Sequence, residues 1–286
     1  MIENNSHNEN ASGAQLIASR FVEARLAARA LPEFPGAIPR DLDGAYACQD
    51  AAIGLWPDDI AGWKVGRILS PWLERYGEER VVGPIFRRAV RIAAAGAVVD
   101  FPVFEDGFAA VEAEFVFRLV SDADARQKTW TAAEAAGLVG ALHFGVETAG
   151  SPLATINALG PAVVAADFGN NAGLILGPEI PGWRERPPAS LATATFIDDR
   201  KVGEGGAANL PGGPLGALAF LLARNARRAR SLRAGDLVAT GATTGIHDIR
   251  AGSRARIEFR GLGAIDCRAV RAVAAPHHRL EARIPC

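Results

Sequence analysis

The fold is decided by the stretch Val111-Glu112-Ala113-Glu114-Phe115-Val116-Phe117-Arg118-Leu119-Val120. Its β-branched and aromatic residues predict a strand, and alternate side chains of a strand share a face. One face is apolar, with Phe115 and Phe117 among its members, and it anchors the strand in a core. Glu112 and Glu114 share the other face, with their Cα atoms about 7 Å apart.

Two interpretations of this acidic face are open from the strand alone. A half-exposed antiparallel strand shows the same alternation, and both glutamates would then lie in water. Alternatively, two anions this close are stabilised by a positive charge between them, and a hard divalent cation prefers oxygen ligands. Other parts of the chain have to distinguish the two.

The composition is that of an ordinary globular protein. The chain has 286 residues, of which 49% are hydrophobic and 22% charged, enough for one large β-rich domain or two smaller ones. With 31 basic and 32 acidic residues, the net charge of -1 predicts no nucleic-acid partner and no anionic membrane surface. We find no run of about 18 apolar residues, so no membrane-spanning segment is expected.

The cysteines and the N-terminus bear on the compartment. Cys48, Cys267 and Cys286 are odd in number and far apart, which is typical of a reducing environment. Residues 1–10 are polar and lack the apolar segment of a signal peptide. We therefore expect a cytoplasmic protein.

The order of the predicted elements indicates a helical cover followed by a β-rich part. We expect a disordered N-terminus over residues 1–12, a helical cover over 13–60, a β-rich domain over 61–275 and a C-terminal tail over 276–286. Residues 13–275 are expected to form one compact domain. Within the cover, apolar residues at helical spacing predict a helix over residues 14–30, and Asp41 is placed to cap a second one that ends near Leu55.

A third acid, Glu147, follows a predicted strand over residues 142–146, and residues 162–166 predict another strand. Alone, Glu147 is typical of a surface acid at a turn. Together with Glu112 and Glu114 it completes three carboxylates, the right kind of ligand for Mg²⁺ or Mn²⁺, with positions left for water or an oxygen-rich substrate.

Five stretches in order resemble the 2-keto-4-pentenoate hydratase branch of the fumarylacetoacetate hydrolase superfamily. They are Gly62-Trp63-Lys64-Val65-Gly66, Glu112-Ala113-Glu114, Glu147, Gly212-Gly213-Pro214-Leu215 and Ala234-Gly235-Asp236-Leu237-Val238-Ala239-Thr240-Gly241. The resemblance extends from about Leu16 to Val273. No single stretch is specific, whereas five in this order are.

The resemblance implies an α+β fold, a mixed β-roll or β-sandwich with an N-terminal helical cover and the catalytic domain over 61–275. It implies a divalent metal, Mg²⁺ or Mn²⁺, held by Glu112, Glu114 and Glu147. The third acid resembles that of the family's hydratases and decarboxylases, whereas its C–C bond hydrolases tend to have Asp there. The implied partners are a small 2-oxo acid substrate, further copies of the chain in a homo-oligomer, and a related decarboxylase.

The implied activity is that of a metal-dependent hydratase, a hydro-lyase of aromatic catabolism. It would add water to a 2-hydroxy-2,4-dienoic or 2-oxo-enoic acid and give a 4-hydroxy-2-oxo acid. The alternatives are a 4-oxalocrotonate-type decarboxylase, an acylpyruvate-type C–C hydrolase and a catalytically inactive partner subunit. The last is kept open by Arg87, because the hydratases usually have an acid directly after the segment that ends here in Phe86. A second departure is the loop after Asp167, where the hydratases carry a serine.

Lys64 is the candidate catalytic residue. It would bind the substrate carboxylate or carry a proton, although a lysine between Trp63 and Val65 more often extends to the surface. The candidate substrate-binding residues are Arg67, Asn170, Asn171, Thr240 and Thr243. Amide and hydroxyl groups donate and accept hydrogen bonds, but in Gly-rich loops they also support the turn itself.

Overall fold

Helices and two β-sheets form the fold in the computed structural model, which describes residues 2–275, with side chains described from Ser12 onward. The predicted tail over 276–286 lies outside the described residues. Over the described range, no helix is long and apolar enough to cross a membrane. The helices are α1 (Ile2–Leu26), α2 (Leu42–Leu55), α3 (Trp72–Tyr76), α4 (Ala132–Ala136), α5 (Pro161–Ala166) and α6 (Gly213–Arg227).

The larger sheet carries the acidic strand near its centre. Its order is β2-β1-β10-β5-β6-β7-β3, with β11 paired to β5. The β1·β10 and β3·β7 pairs are parallel and the others antiparallel, so the sheet is mixed. Its strands are β1 (Ile60–Arg67), β2 (Arg80–Phe86), β3 (Val90–Ile92), β5 (Phe108–Leu119), β6 (Val139–Ser151), β7 (Asn171–Glu179), β10 (Leu237–Ala239) and β11 (His247–Asp248).

The second sheet packs against the larger one. Its order is β4-β13-β12-β8-β9, formed by β4 (Val98–Val103), β8 (Ala192–Ile197), β9 (Arg200–Gly206), β12 (Arg254–Phe259) and β13 (Gly263–Arg271). The Phe259 ring of β12 lies 5.8 Å from Phe115 of β5 and 4.7 Å from Phe144 of β6, centroid to centroid. The expected α+β class with mixed, curled sheets is confirmed.

Strand β5 is buried on both faces. Its apolar face, including Val111, Phe115 and Phe117, lies in the main core between the sheets. On the other face, Val116 packs with Leu174 and Leu237 in a smaller cluster. The glutamates of that face are also buried, and the interpretation that places them in water is therefore wrong.

The helical cover begins earlier in the chain than expected. The backbone is helical from Ile2, where residues 1–12 were expected to be disordered, because lengthening a helix that is already nucleated costs little. Helix α1 ends at Leu26 instead of near residue 30. Asp41 caps α2 as predicted, its Oδ1 accepting a hydrogen bond from the backbone N–H of Gly44 at 2.8 Å.

Two local predictions near the site are wrong. Glu147 lies inside β6, not at a strand end, because Thr148 to Ser151 continue the antiparallel ladder with β5. Residues 162–166 form helix α5 instead of a strand. Pro161 occupies its first turn, where the missing N–H and fixed φ of proline suit a helix start.

Gly62 sets how closely β1 approaches β10. A Cβ at this position would lie 2.1 Å from the carbonyl oxygen of Leu237, so Gly62→Ala should separate the two strands. We expect a loss of roughly 1–3 kcal/mol in the free energy of unfolding. Gly54→Ala in α2 is the matched control: it has open space around the new methyl group and should stabilise by roughly 0.5–1 kcal/mol. Urea unfolding measures both, and equal effects would contradict the prediction.

Candidate metal centre

Three glutamates converge on one face of the larger sheet. Glu112 of β5 pairs directly with Glu147 of β6, and Glu114 follows two residues along β5. One carboxylate oxygen of each lies within 4.8 Å of the other two. Glu112 is 3% exposed and the other two are 0% exposed. The strand pairing therefore gathers the three predicted ligands in a place that water hardly reaches.

The carboxylates have unused ligand atoms that fit a divalent cation. Oε1 of Glu112, Oε1 of Glu114 and Oε2 of Glu147 are buried and have no hydrogen-bond partner among the described residues. Buried carboxylate oxygens are normally paired or bound to a metal. Oxygen ligands are those that Mg²⁺ and Mn²⁺ prefer. These residues therefore fit a dication.

Lys64 lies beside the acids and is 3% exposed. Its Nζ is 3.3 Å from Oε1 of Glu147 and donates a hydrogen bond to Oδ1 of Asn170 at 3.1 Å. Burial alone would lower the pKa of Lys64, but the carboxylates of Glu147, Glu112 and Glu114 more than compensate, so the pKa is raised. Lys64 therefore stays a cation at neutral pH and does not extend to the surface.

One lysine does not balance three acids. Burial, reinforced by the charge of Glu147 and opposed by Lys64, raises the pKa of Glu112 to about 8. Burial also raises the pKa of Glu114 well above its ordinary value, with Glu147 and Glu112 adding to the effect. Without a cation, the folded protein therefore holds protons that the unfolded chain has released at neutral pH.

This imbalance predicts the pH dependence of stability in the metal-free protein. A carboxyl group whose pKa is raised on folding contributes least to the stability of the folded protein at high pH, since its ionisation favours the unfolded state. For Glu112 this stability is lost as the pH rises from the ordinary pKa of 4.5 to the pKa of about 8 in the folded protein. We expect the Tm in chelator to fall as pH rises from 5 to 8.5, and Glu112→Gln to flatten that fall. An equally steep fall in the variant would contradict the assignment.

The two asparagines contact the charged groups from one short turn. Asn170 accepts from Lys64, and its Nδ2 donates to Oδ1 of Asn157 at 3.0 Å. Asn171 Nδ2 donates to Oε1 of Glu147 at 3.1 Å. Asn170 lines the cavity that also contains Lys64 and Glu112, whereas Asn171 lines a different cavity, under the helical cover. Asn171 is thus placed to orient the Glu147 carboxylate without lining the cavity that contains Lys64.

The loop that contains Thr240 and Thr243 lies on the other side of the three glutamates. The backbone N–H of Gly241 donates to Oε2 of Glu114 at 2.6 Å. Thr240 Oγ1 donates to the carbonyl of Phe115, and Thr243 Oγ1 to that of Ala113. Each hydroxyl has one hydrogen, so both are already used within the fold. Both residues line the cavity. Thr243 Oγ1 also accepts a hydrogen bond from Thr193 Oγ1 at 2.8 Å, so the acceptor capacity left for a substrate lies mainly on Thr240.

Two cavities lie near the acids. The smaller, about 560 Å³, is lined by Lys64, Glu112, Asn170, both threonines and, at its exposed side, Arg67. The larger, about 780 Å³, lies between α1 and the edges of the sheets, and neither Lys64 nor Glu112 lines it. The chemistry identifies the smaller one as the candidate substrate cavity, because Lys64 and Glu112, whose Oε1 has no hydrogen-bond partner among the described residues, both line it.

Sequence reasoning missed several residues that hold this arrangement. Asn157 lines the smaller cavity and extends the chain of contacts from Lys64 through Asn170. Arg25 of α1 binds both carboxylate oxygens of Asp167, which was noted in the sequence only as the residue before a loop that departs from the hydratases. Nothing in the sequence indicated that Arg25 binds Asp167. An arginine in the last turn of a helix is common simply because its charge suits the helix C-terminus.

The chain shares its fold with several solved structures. Solved structures similar to the chain include 4-oxalocrotonate decarboxylase from Pseudomonas putida G7 complexed with calcium and acetate. The two share 19% identity with a TM-score of 0.73, over 91% of this chain and 98% of that one. The same enzyme complexed with magnesium and adipate gives 20% identity and a TM-score of 0.73, over 90% of this chain and 97% of that one.

A third similar structure covers less of the chain. It is fumarylpyruvate hydrolase from Pseudomonas aeruginosa in complex with Mn²⁺ and pyruvate, at 19% identity and a TM-score of 0.54, over 73% of this chain and 89% of that one. A scan against protein-family models finds no match, and a search of curated proteins finds none. At these identities the likeness shows the shared fold and leaves the hydratase branch a prediction.

Proposed function

We propose that the protein is a divalent-metal-dependent lyase that acts on a short 2-oxo acid. The observation that carries the proposal is the set of three buried glutamates, each with an unpartnered oxygen, beside a buried lysine and a cavity. Glu112, Glu114 and Glu147 would hold Mg²⁺ or Mn²⁺. The bound cation would supply a Lewis acid for negative charge that develops on the C2 oxygen of a 2-oxo acid.

The chain's own residues have separate parts in this proposal. Lys64, cationic and next to Glu147, would bind the substrate carboxylate or carry a proton at Nζ. Asn170 fixes the direction of Nζ through its Oδ1. Gly241 N–H and Asn171 Nδ2 hold Glu114 and Glu147 in place. Preorganised groups of this kind supply charge stabilisation without rearrangement during the reaction.

The first candidate reaction is hydration. The five stretches of sequence resemble the hydratases, and the cavity of about 560 Å³ can accept a short dienoic acid together with water. The substrate would be a 2-hydroxy-2,4-dienoic or 2-oxo-enoic acid, and the product a 4-hydroxy-2-oxo acid. Asn157 and Asn170, two of the neutral polar side chains that line the cavity, would orient the attacking water.

The second candidate reaction is decarboxylation of a 4-oxalocrotonate-type acid. It needs no group to activate water, and among the described cavity-lining residues the carboxylates are Glu112 and Glu204, with no histidine. Glu204 is exposed and paired with Lys201. The whole-chain likeness to a 4-oxalocrotonate decarboxylase fold agrees with this alternative. The acylpyruvate hydrolase is less well supported, because hydrolysis needs a group that activates water and no histidine lines the cavity among the described residues. The inactive partner subunit is less well supported, because it does not account for three buried carboxylates that each have an oxygen without a partner among the described residues.

A single assay distinguishes these reactions. The purified chain, with Mg²⁺ or Mn²⁺ and then with chelator, is given 2-hydroxypenta-2,4-dienoate in one arm and 2-oxohex-3-enedioate in the other. Loss of the diene absorbance without CO₂ shows hydration, and CO₂ release from the diacid shows decarboxylation. No metal-dependent turnover of either by the chain alone would overturn the proposal in favour of a partner subunit. Light scattering on the same sample tests the predicted homo-oligomer.

A further inference from the structure

Arg25 connects the helical cover to the turn beside the acids. It belongs to α1, yet it is only 8% exposed. Its Nε and Nη2 donate to the two carboxylate oxygens of Asp167 at 2.6 and 2.9 Å. Nη1 donates to the carbonyl of Asn171 at 3.1 Å, and Nη2 also donates to that of Gly150 at 2.9 Å. The guanidinium thus holds both ends of the segment 167–171.

The segment between these two ends is strained. Phe168, Gly169 and Asn170 have φ values of 53°, 63° and 56°, so three residues in a row are left-handed. For a residue with a side chain this costs roughly 1–2 kcal/mol, and here it applies mainly to Phe168, because asparagine adopts this conformation more readily. Such backbone persists only where its surroundings hold it. Contacts from outside the segment are therefore required.

The strained turn and the residue that follows it carry the two amides that orient the charged groups. Asn170 accepts the hydrogen bond of Lys64, and Asn171 donates to Glu147. The Arg25 guanidinium carbon lies 5.1 Å from the centre of the Phe168 ring, within the range of a cation–π contact. If the turn relaxed toward right-handed backbone, both amides would leave their partners.

We propose that Arg25 is a positioning residue for the metal centre, and that it acts through the left-handed turn at residues 168–170. The inference rests on the proposed metal site. It makes the N-terminal cover part of that site, since a residue of α1 sets the orientation of Glu147 and Lys64. Asp167 is the anchor: it is 0% exposed and also accepts from Ser151 Oγ at 2.6 Å.

The test compares variants of the full chain in two measurements. Arg25→Lys keeps the charge but loses the planar fork that binds two acceptors at once. Arg25→Met/Asp167→Asn removes the pair together, so that no buried carboxylate is left unpaired if Arg25→Met alone fails to fold. Arg20→Met on the same helix is the control, because Arg20 is 60% exposed and 3.9 Å from Glu23.

The first measurement is Mn²⁺ affinity by electron paramagnetic resonance. We expect Arg25→Lys to weaken it roughly 10-fold, the lower end of the effect of losing an outer-shell partner, because Arg25 contacts no glutamate of the site and acts through the turn. The second is amide hydrogen exchange over residues 167–173 without metal, which should be faster in both Arg25 variants and unchanged in Arg20→Met.

The outcomes separate this inference from the proposed function. Unchanged Mn²⁺ affinity in both Arg25 variants overturns the positioning role, as does unchanged exchange of the turn. If the unaltered chain binds no Mn²⁺, the proposed metal site fails, and the positioning of Glu147 and Lys64 toward a metal fails with it. Faster exchange in that case shows only that Arg25 holds the turn.

Discussion

Glu114→Gln is expected to stabilise the metal-free protein while it removes most of its affinity for Mn²⁺. Glu114 is fully buried, and its raised pKa shows that the fold resists its negative charge. A neutral amide of the same shape can keep the hydrogen bond from Gly241 through its oxygen. It cannot replace an anionic ligand, so Mn²⁺ affinity should fall by more than the roughly 10- to 100-fold typical of an outer-shell change.

The two effects of Glu114→Gln are measured separately. In chelator at pH 8, we expect the Tm to rise by at least about 2 °C, the shift that roughly 1 kcal/mol produces in a chain of this size. The rise should shrink toward pH 4, where the unfolded glutamate is itself protonated. Glu258→Gln, at an exposed position of β12, is the control. A lower Tm combined with unchanged Mn²⁺ affinity would show that Glu114 is a structural acid.

Lys64→Met should have the opposite effect on stability. Among the described residues, Lys64 is the cation that faces the three acids. Its loss leaves buried negative charge without a partner, which typically costs about 3–5 kcal/mol. We expect the loss to be largest in chelator at pH 8 and smaller at pH 5, where Glu112 and Glu114 hold protons because their pKa values are raised, and Mn²⁺ should recover part of it. Urea unfolding at both pH values measures the change.

The same variant tests the catalytic role of Lys64. If Nζ binds the substrate or carries a proton, kcat/KM should fall roughly 10²- to 10⁴-fold even with saturating metal, the range typical of a general acid or base. Lys128→Met is the control, since Lys128 is an exposed lysine that donates to the carbonyls of Ala125 and Ala226. Full activity of Lys64→Met in saturating Mn²⁺ would limit Lys64 to charge balance.

The sequence could predict the strand that carries Glu112 and Glu114, because the alternation of its side chains is a local signal. The alternation along β5 placed Glu112 and Glu114 on one face, and the strand pairing brings Glu147 opposite Glu112. The burial of that face was not visible from the strand, because it depends on residues such as Leu174 and Leu237 of other strands. The position of Glu147 within β6 was missed for the same reason: the length of a ladder depends on the partner strand.

The parts that hold the site were harder to predict. A left-handed Phe168 contradicts the residue's own preference, so no propensity could indicate the turn. Arg25 lies 142 positions from Asp167 in the chain. The roles of Thr240 and Thr243 were predicted as substrate binding, and their hydroxyl hydrogens prove to be used by the carbonyls of β5. Each case depends on long-range contacts that a single sequence does not display.

The candidate substrate cavity is built by two parts of the fold with different tolerance to change. Its inner wall, with Glu112 and Lys64, belongs to central strands of the larger sheet, whereas Glu204 and Asn209 of its outer wall come from β9 and the turn after it. Evolution could therefore alter the outer wall, and with it the length and polarity of the accepted molecule, while the reacting end keeps its surroundings.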